Sequence, residues 1–221
     1  MVPALRQLNL KVAPGEVYGF IGPNGAGKTT TMHVLLGFVA AAAGTAAIFG
    51  EDVRREPARR RIGYMSEHPQ LYRFLTGREL LITTGRLFGM RGRQLAAKAA
   101  GLIELLQLSA AADRRIAEYS RGMMQRIALA QALINDPDLI ILDEPTAGFD
   151  PIGRVEIRAI IAGLKRAGKT VFFSSHELSE VERLCDRIGI IAGGRLAAEG
   201  RLDQLIKTGE SLEQYFLRVL Q

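Results

Sequence analysis

GPNGAGKTT, residues 22–30, lies between a β-prone run at 16–21 and a run with amphipathic helical spacing at 30–38. A glycine-rich loop in that context is a phosphate cradle, because Gly22, Gly25 and Gly27 permit the turns that let successive backbone N–H groups converge on an anion. The start of the following helix adds partial positive charge at the same spot. Lys28 is expected to reach the β- and γ-phosphates as a point charge, and the Thr29 hydroxyl to ligate Mg2+. Gly22, Pro23, Asn24, Gly25, Ala26, Gly27, Lys28, Thr29 and Thr30 are therefore expected to hold a nucleoside triphosphate.

At 221 residues, one α/β domain with an inserted subdomain is the economical reading, and 48% apolar residues supply its core. No run approaches the roughly 18 apolar residues of a membrane span, and the first residues lack a signal-peptide pattern, so a cytosolic chain is expected. The one cysteine, Cys185, falls at helical spacing with Leu178, Val181 and Leu184 and reads as a buried residue. The net charge is +6, with a dense cluster at Arg54, Arg55, Arg59, Arg60 and Arg61. Without interleaved aromatics it reads as a solvated helical face, a membrane-facing role being the alternative; no nucleic acid is expected.

Leu8, Leu10 and Val12 alternate before Pro14 and Gly15, which predicts an opening hairpin that feeds the phosphate loop. A short strand is expected at 62–65. Helical spacing from 76 to 117 predicts an inserted helical subdomain, leaving 1–75 and 118–221 as the catalytic core of a single domain over 1–221. Buried strands at 139–142, 170–173 and 188–191 alternate with helices, which specifies a mainly parallel sheet covered on both faces. Gly193 and Gly194 turn a final hairpin, and 211–220 reads as a terminal helix.

DLIILDEPTAGFD, residues 138–150, is a buried strand that ends in two carboxylates. At the C-terminal edge of a parallel sheet Asp143 is placed to bind Mg2+, and Glu144 to face the water beyond the γ-phosphate. YSRGM, residues 119–123, opens a helix expected at 121–134, for which Ser120 is a good N-cap. FFSSHELSEVERLCDRI, residues 172–188, places His176 just after a strand.

In this order and at these separations, the four stretches closely resemble the ATP-binding cassette (ABC) ATPase family, over essentially the whole chain from Ala4 to Gln221. The resemblance implies a P-loop NTPase fold with an ABC ATPase core, a mainly parallel sheet, antiparallel β hairpins and the helical insertion. It makes GPNGAGKTT the Walker A loop, LIILDE the Walker B strand, YSRGM the signature, AGFD with Asp150 the D-loop, and His176 the switch histidine. Lys28, Glu144 and His176 then carry catalysis, with ATP and Mg2+ as cofactors. In this family two cassettes pack head to tail, so Ser120, Arg121 and Gly122 would contact the γ-phosphate bound by a second ATPase subunit, identical or not.

Three departures stand out. Arg121 replaces the first of two signature glycines, and its guanidinium either adds a phosphate contact in trans or faces solvent. Glu67 aligns with the family's Q-loop glutamine and keeps a metal-binding oxygen while losing the amide donor. The family's adenine-stacking aromatic and first strand precede the position of Leu5, which leads to the expectation of a reading frame beginning roughly 20 residues upstream. Tyr18 is expected to point into the sheet and not to replace that aromatic, and the segment 5–12 to be left as an unpaired edge.

The form of these motifs is similar to exporter ATPases that work with a separate integral-membrane permease of the ABC type-2 class, on the inner face of the cell membrane. Members handle drugs, antibiotics, polysaccharides, lipids or ions, and the sequence selects none. The segment 67–76, with Leu71, Tyr72, Phe74 and Leu75, is expected to meet the permease. Two other readings compete: a soluble cassette in DNA repair or translation, whose usual coiled-coil insertions or fused second cassette are missing here, and a non-hydrolysing regulatory subunit, opposed by the intact Lys28, Asp143, Glu144 and His176.

Overall fold

Short apolar runs too buried to be solvated pair side by side, and their pairing sets the architecture. The computed structural model describes residues 3–221. Strands β1 (Val17–Ile21), β4 (Ile62–Met65), β5 (Leu139–Asp143), β6 (Thr170–Ser174), β7 (Arg187–Ala192) and β8 (Arg195–Arg201) form one sheet in the order β4-β5-β6-β1-β7-β8. Every pair is parallel except the β7–β8 hairpin. β2 (Ala47–Ile48) and β3 (Glu51–Asp52) make a separate antiparallel ribbon.

Alternate side chains of the strands feed two cores, as a sheet covered on both faces requires. Val17, Ile21, Ile140, Leu142, Val171 and Phe173 face one side. There they meet α3 (Gly77–Leu87), α4 (Gly92–Leu105), α5 (Arg121–Leu133), α6 (Pro151–Arg166), α7 (Leu178–Leu184) and α9 (Leu212–Leu220). Tyr18, Phe20, Ile141, Phe172 and Ile191 face the other, against α1 (Lys28–Leu35) and α2 (Glu56–Arg60). A one-turn helix, α8 (Leu202–Leu205), follows β8.

The expected opening hairpin does not form. Residues 3–16 contain no strand; Leu5, Leu8, Leu10 and Val12 are instead laid against the second core, and β1 lies in the middle of the sheet. A segment draped on a core needs the same one-sided apolar pattern as a half-buried strand, so alternation alone could not tell them apart. Nor is 5–12 an unpaired sheet edge. The helix expected from 30 begins at Lys28 and ends at Leu35.

Thr76 and Glu79 form a capping box that starts α3. Ile116 N–H donates to Leu75 O at 2.8 Å and Ala117 N–H to Arg73 O at 2.9 Å, so the chain enters and leaves the helical region 77–114 along one narrow neck. The arginine cluster is solvated and mostly paired: Arg54 with Asp52 (2.5 Å), Arg60 with Glu56 (2.8 Å) and Arg61 with Asp138 (2.7 Å). Cys185 ends α7, where burial pushes its thiol pKa up. Among the described residues no helix is long and apolar enough to cross a membrane.

Candidate functional site

The parallel strands β4, β5, β6 and β1 all deliver their C-terminal ends to one edge of the sheet, and the polar residues of interest hang there. After β1 the loop turns back on itself through Gly25 (φ 77°) and Gly27 (φ 113°), a region of backbone space that favours glycine. Gly22 is required for another reason: a Cβ there would lie 2.2 Å from Ile191 O. Gly27 precedes α1 without any side-chain cap, so the first-turn N–H groups stay available to an anion. Lys28 is buried, and its ammonium donates to Gly22 O (2.6 Å) and Pro23 O (3.3 Å).

An open cavity of about 190 Å³ is lined by Ala4, Asn24, Gly25, Gly27, Lys28, Thr29, Thr30, Glu67, Asp143 and Glu144. Of the loop residues expected to bind, Gly22, Pro23 and Ala26 stand behind this lining: Gly22 and Pro23 accept from Lys28, and Ala26 packs in the second core. Asp143 is buried, with Oδ2 3.3 Å from Thr29 Oγ1 and Oδ1 accepting from Ser174 Oγ at 2.5 Å. Burial first, and then the charge of Asp143, push the Tyr64 hydroxyl up to about 12. Glu144 is also buried, in a left-handed backbone conformation (φ 52°). Its Oε2 lies 2.8 Å from His176 Nδ1 and 3.3 Å from the His176 N–H. The His176 side chain is 60% exposed while its Nδ1 engages the carboxylate.

This donor set suits a hard, oxygen-seeking cation. Thr29 and Asp143 approach each other from adjoining walls, and Glu67 lines the same cavity. No group of three or more His, Cys, Asp or Glu that could hold a metal occurs among the described residues. Mg2+ suits such a site, since it is ordinarily held by one or two carboxylates together with water and substrate phosphates.

Ser120, Arg121, Gly122 and Asp150 are not in the cavity. Ser120 caps α5 by accepting from Met123 N–H (3.2 Å), and Asp150 caps α6 by accepting from Gly153 N–H (2.7 Å); both side chains satisfy their own helix starts. Arg121 is exposed at the start of α5 and lies across Gly148, where an added Cβ would be 2.5 Å from its Nε. Glu67 is tied to α5 by its carbonyl, which accepts from the buried Gln125 Nε2 at 2.8 Å. Sequence reasoning passed over Ser174, Gln125 and Tyr64. The available signal was polarity inside apolar runs: a serine closing a buried strand, a glutamine on the buried face of a helix.

The ABC transporter family model matches residues 5–147. An ABC transporter ATP-binding protein of Nostoc sp. is 46% identical over 207 residues, 93% of this chain and 62% of that protein. The Nod factor export ATP-binding protein I of Paraburkholderia xenovorans is 45% identical over 201 residues, 90% of this chain and 66% of that protein. The chain thus spans a little under two thirds of these curated relatives. An ATP-binding subunit of an ABC transporter superposes with a TM-score of 0.91 at 29% identity, covering 99% of this chain and 93% of that one. A dimeric ATP-binding cassette in a post-hydrolysis state, bound to ADP and phosphate, gives 0.84 at 26% identity, covering 90% of each. With the cradle, the strand-borne acids and the histidine assembled on this fold, and with that family model covering more than half of its length, the chain belongs to the ABC transporter family as an ATP-binding subunit.

Proposed function

We propose that the chain is the ATP-hydrolysing motor of an exporter, working on the cytoplasmic membrane face with a second ATPase subunit and a separate membrane permease. The observation that carries the reading is the convergence of Lys28, Thr29, Asp143 and Glu144 on one cavity. Lys28 and the N–H groups opening α1 bind and orient the triphosphate, and Thr29, Asp143 and Glu67 would hold Mg2+. The metal, when bound, neutralises charge that develops between the β- and γ-phosphates. Glu144 holds the attacking water or takes its proton, while His176 fixes the Glu144 carboxylate through Nδ1. The exporter reading is supported by relatives named as export ATP-binding proteins, and the dimer by a structural neighbour solved as one. Residues 76–117 act as a helical subdomain that carries the signature end of α5 toward the partner.

Glu144→Gln tests this directly. ATP binding persists, hydrolysis falls about 100-fold or more, and the ATP-bound variant elutes as a dimer from a sizing column. A monomer at saturating ATP with undiminished turnover would reject the role of Glu144 and the sandwich together.

A further inference from the structure

We propose that Ser174 is a positioning residue for both carboxylates of the site, a role that rests on the ATPase reading above. β5 and β6 are parallel neighbours, and Asp143 stands in register with Ser174. Ser174 is fully buried at the end of its strand. Its hydroxyl donates to Asp143 Oδ1 at 2.5 Å, which leaves Oδ2 turned to Thr29 Oγ1 at 3.3 Å, the side on which a cation would sit. The same hydroxyl accepts from Glu144 N–H at 3.2 Å, and the Ser174 carbonyl accepts that N–H as well, also at 3.2 Å.

These bonds matter because Glu144 holds φ 52°, a conformation that disfavours every residue with a Cβ and persists only where surroundings over-determine it. The forked bond to Ser174 fixes the amide of that strained residue, and so the direction in which its side chain leaves the strand. One hydroxyl therefore sets the metal-facing oxygen of Asp143 and the launch point of Glu144. Groups that orient a ligating carboxylate are worth about 10- to 100-fold in metal affinity or activity.

The test compares the parent chain with Ser174→Ala and Ser174→Thr, using a fluorescent N-methylanthraniloyl ATP titrated with Mg2+ or with EDTA, alongside steady-state kcat and KM. Ser174→Ala removes a single oxygen, and its melting curve is recorded so that only folded protein is compared. In EDTA its affinity should match the parent. With Mg2+ the half-saturating metal concentration should rise about 10- to 100-fold, and kcat should fall more than KM rises. Ser174→Thr, which keeps the hydroxyl, should restore both. A parental Mg2+ response in Ser174→Ala overturns the assignment. So does an affinity loss equal in Mg2+ and EDTA, or a folded threonine variant no better than alanine. If the parent itself neither hydrolyses ATP nor responds to Mg2+, the ATPase reading falls first.

Discussion

Gly148 illustrates how much a single position can carry in the loop between Glu144 and α6. Its φ of 81° excludes ordinary side chains, and the Arg121 guanidinium occupies the space that a Cβ would need. Gly148→Ala should therefore destabilise the chain by about 1 to 2 kcal/mol in urea unfolding. Adding Arg121→Ala should return part of that loss, leaving the share due to backbone strain. Asp186 supports a pH prediction. Burial raises its carboxyl pKa, but the Lys165 ammonium (2.5 Å) and the Val17 N–H (2.9 Å) outweigh it, so the net shift is downward. A depressed folded pKa means stability that is present above the unfolded value, near 3.9, and lost as pH falls through the folded one. Asp186→Asn should accordingly cost about 1 kcal/mol at pH 7, with the gap to the parent closing below about pH 4 in denaturant titrations.

Among the elements, the neck leading into α3 divides its apolar residues by face. Leu71 and Leu75 pack against the main core, whereas Tyr72 and Phe74 are 64% and 70% exposed with ring centroids 5.8 Å apart. Tyr72→Asp should leave the melting temperature and basal ATPase activity near those of the parent while weakening co-purification with a permease; unchanged capture would remove this surface from the coupling path. Leu75→Asp should instead unfold the chain at lower urea. The sequence alone could not separate these four residues, because their spacing has no regular period to mark a face. Strands such as β5 and β6 were readable at 139–142 and 170–173 because short apolar runs such as LIIL and VFF leave no polar position to face solvent. The loop with Lys28 and the acids at 143 and 144 were readable because phosphate and metal chemistry demand those residue types. Ser174 was not, since a hydroxyl among apolar neighbours gains meaning only from the strand paired beside it. The segment 3–16 was misread because its pattern records which side meets the core and not whether its backbone finds a partner.

At the scale of the molecule, Ser120 caps α5 and does not line the cavity that holds Lys28, so on the proposed reading it would act on the nucleotide of a second subunit. Ser120→Arg and Lys28→Ala, each inactive alone, should recover detectable ATPase activity when mixed, because one of the two sites in the mixed dimer combines intact halves. Demonstrated mixed dimers without recovery would argue against sites that turn over independently. The sheet order has a temporal consequence as well. β1 is seated between β6 and β7, which lie at least about 150 residues further along the chain. At roughly 5 to 20 residues per second on a ribosome, the strand that carries the loop waits about 10 to 30 s for its neighbours. Its run VYGFI, buried at all five positions in the finished protein, has no sheet neighbour to pair with until then. β1 is thus made long before the strands that clasp it, and a released fragment ending within α6 should hold the loop and both acids yet retain no ATP on a filter.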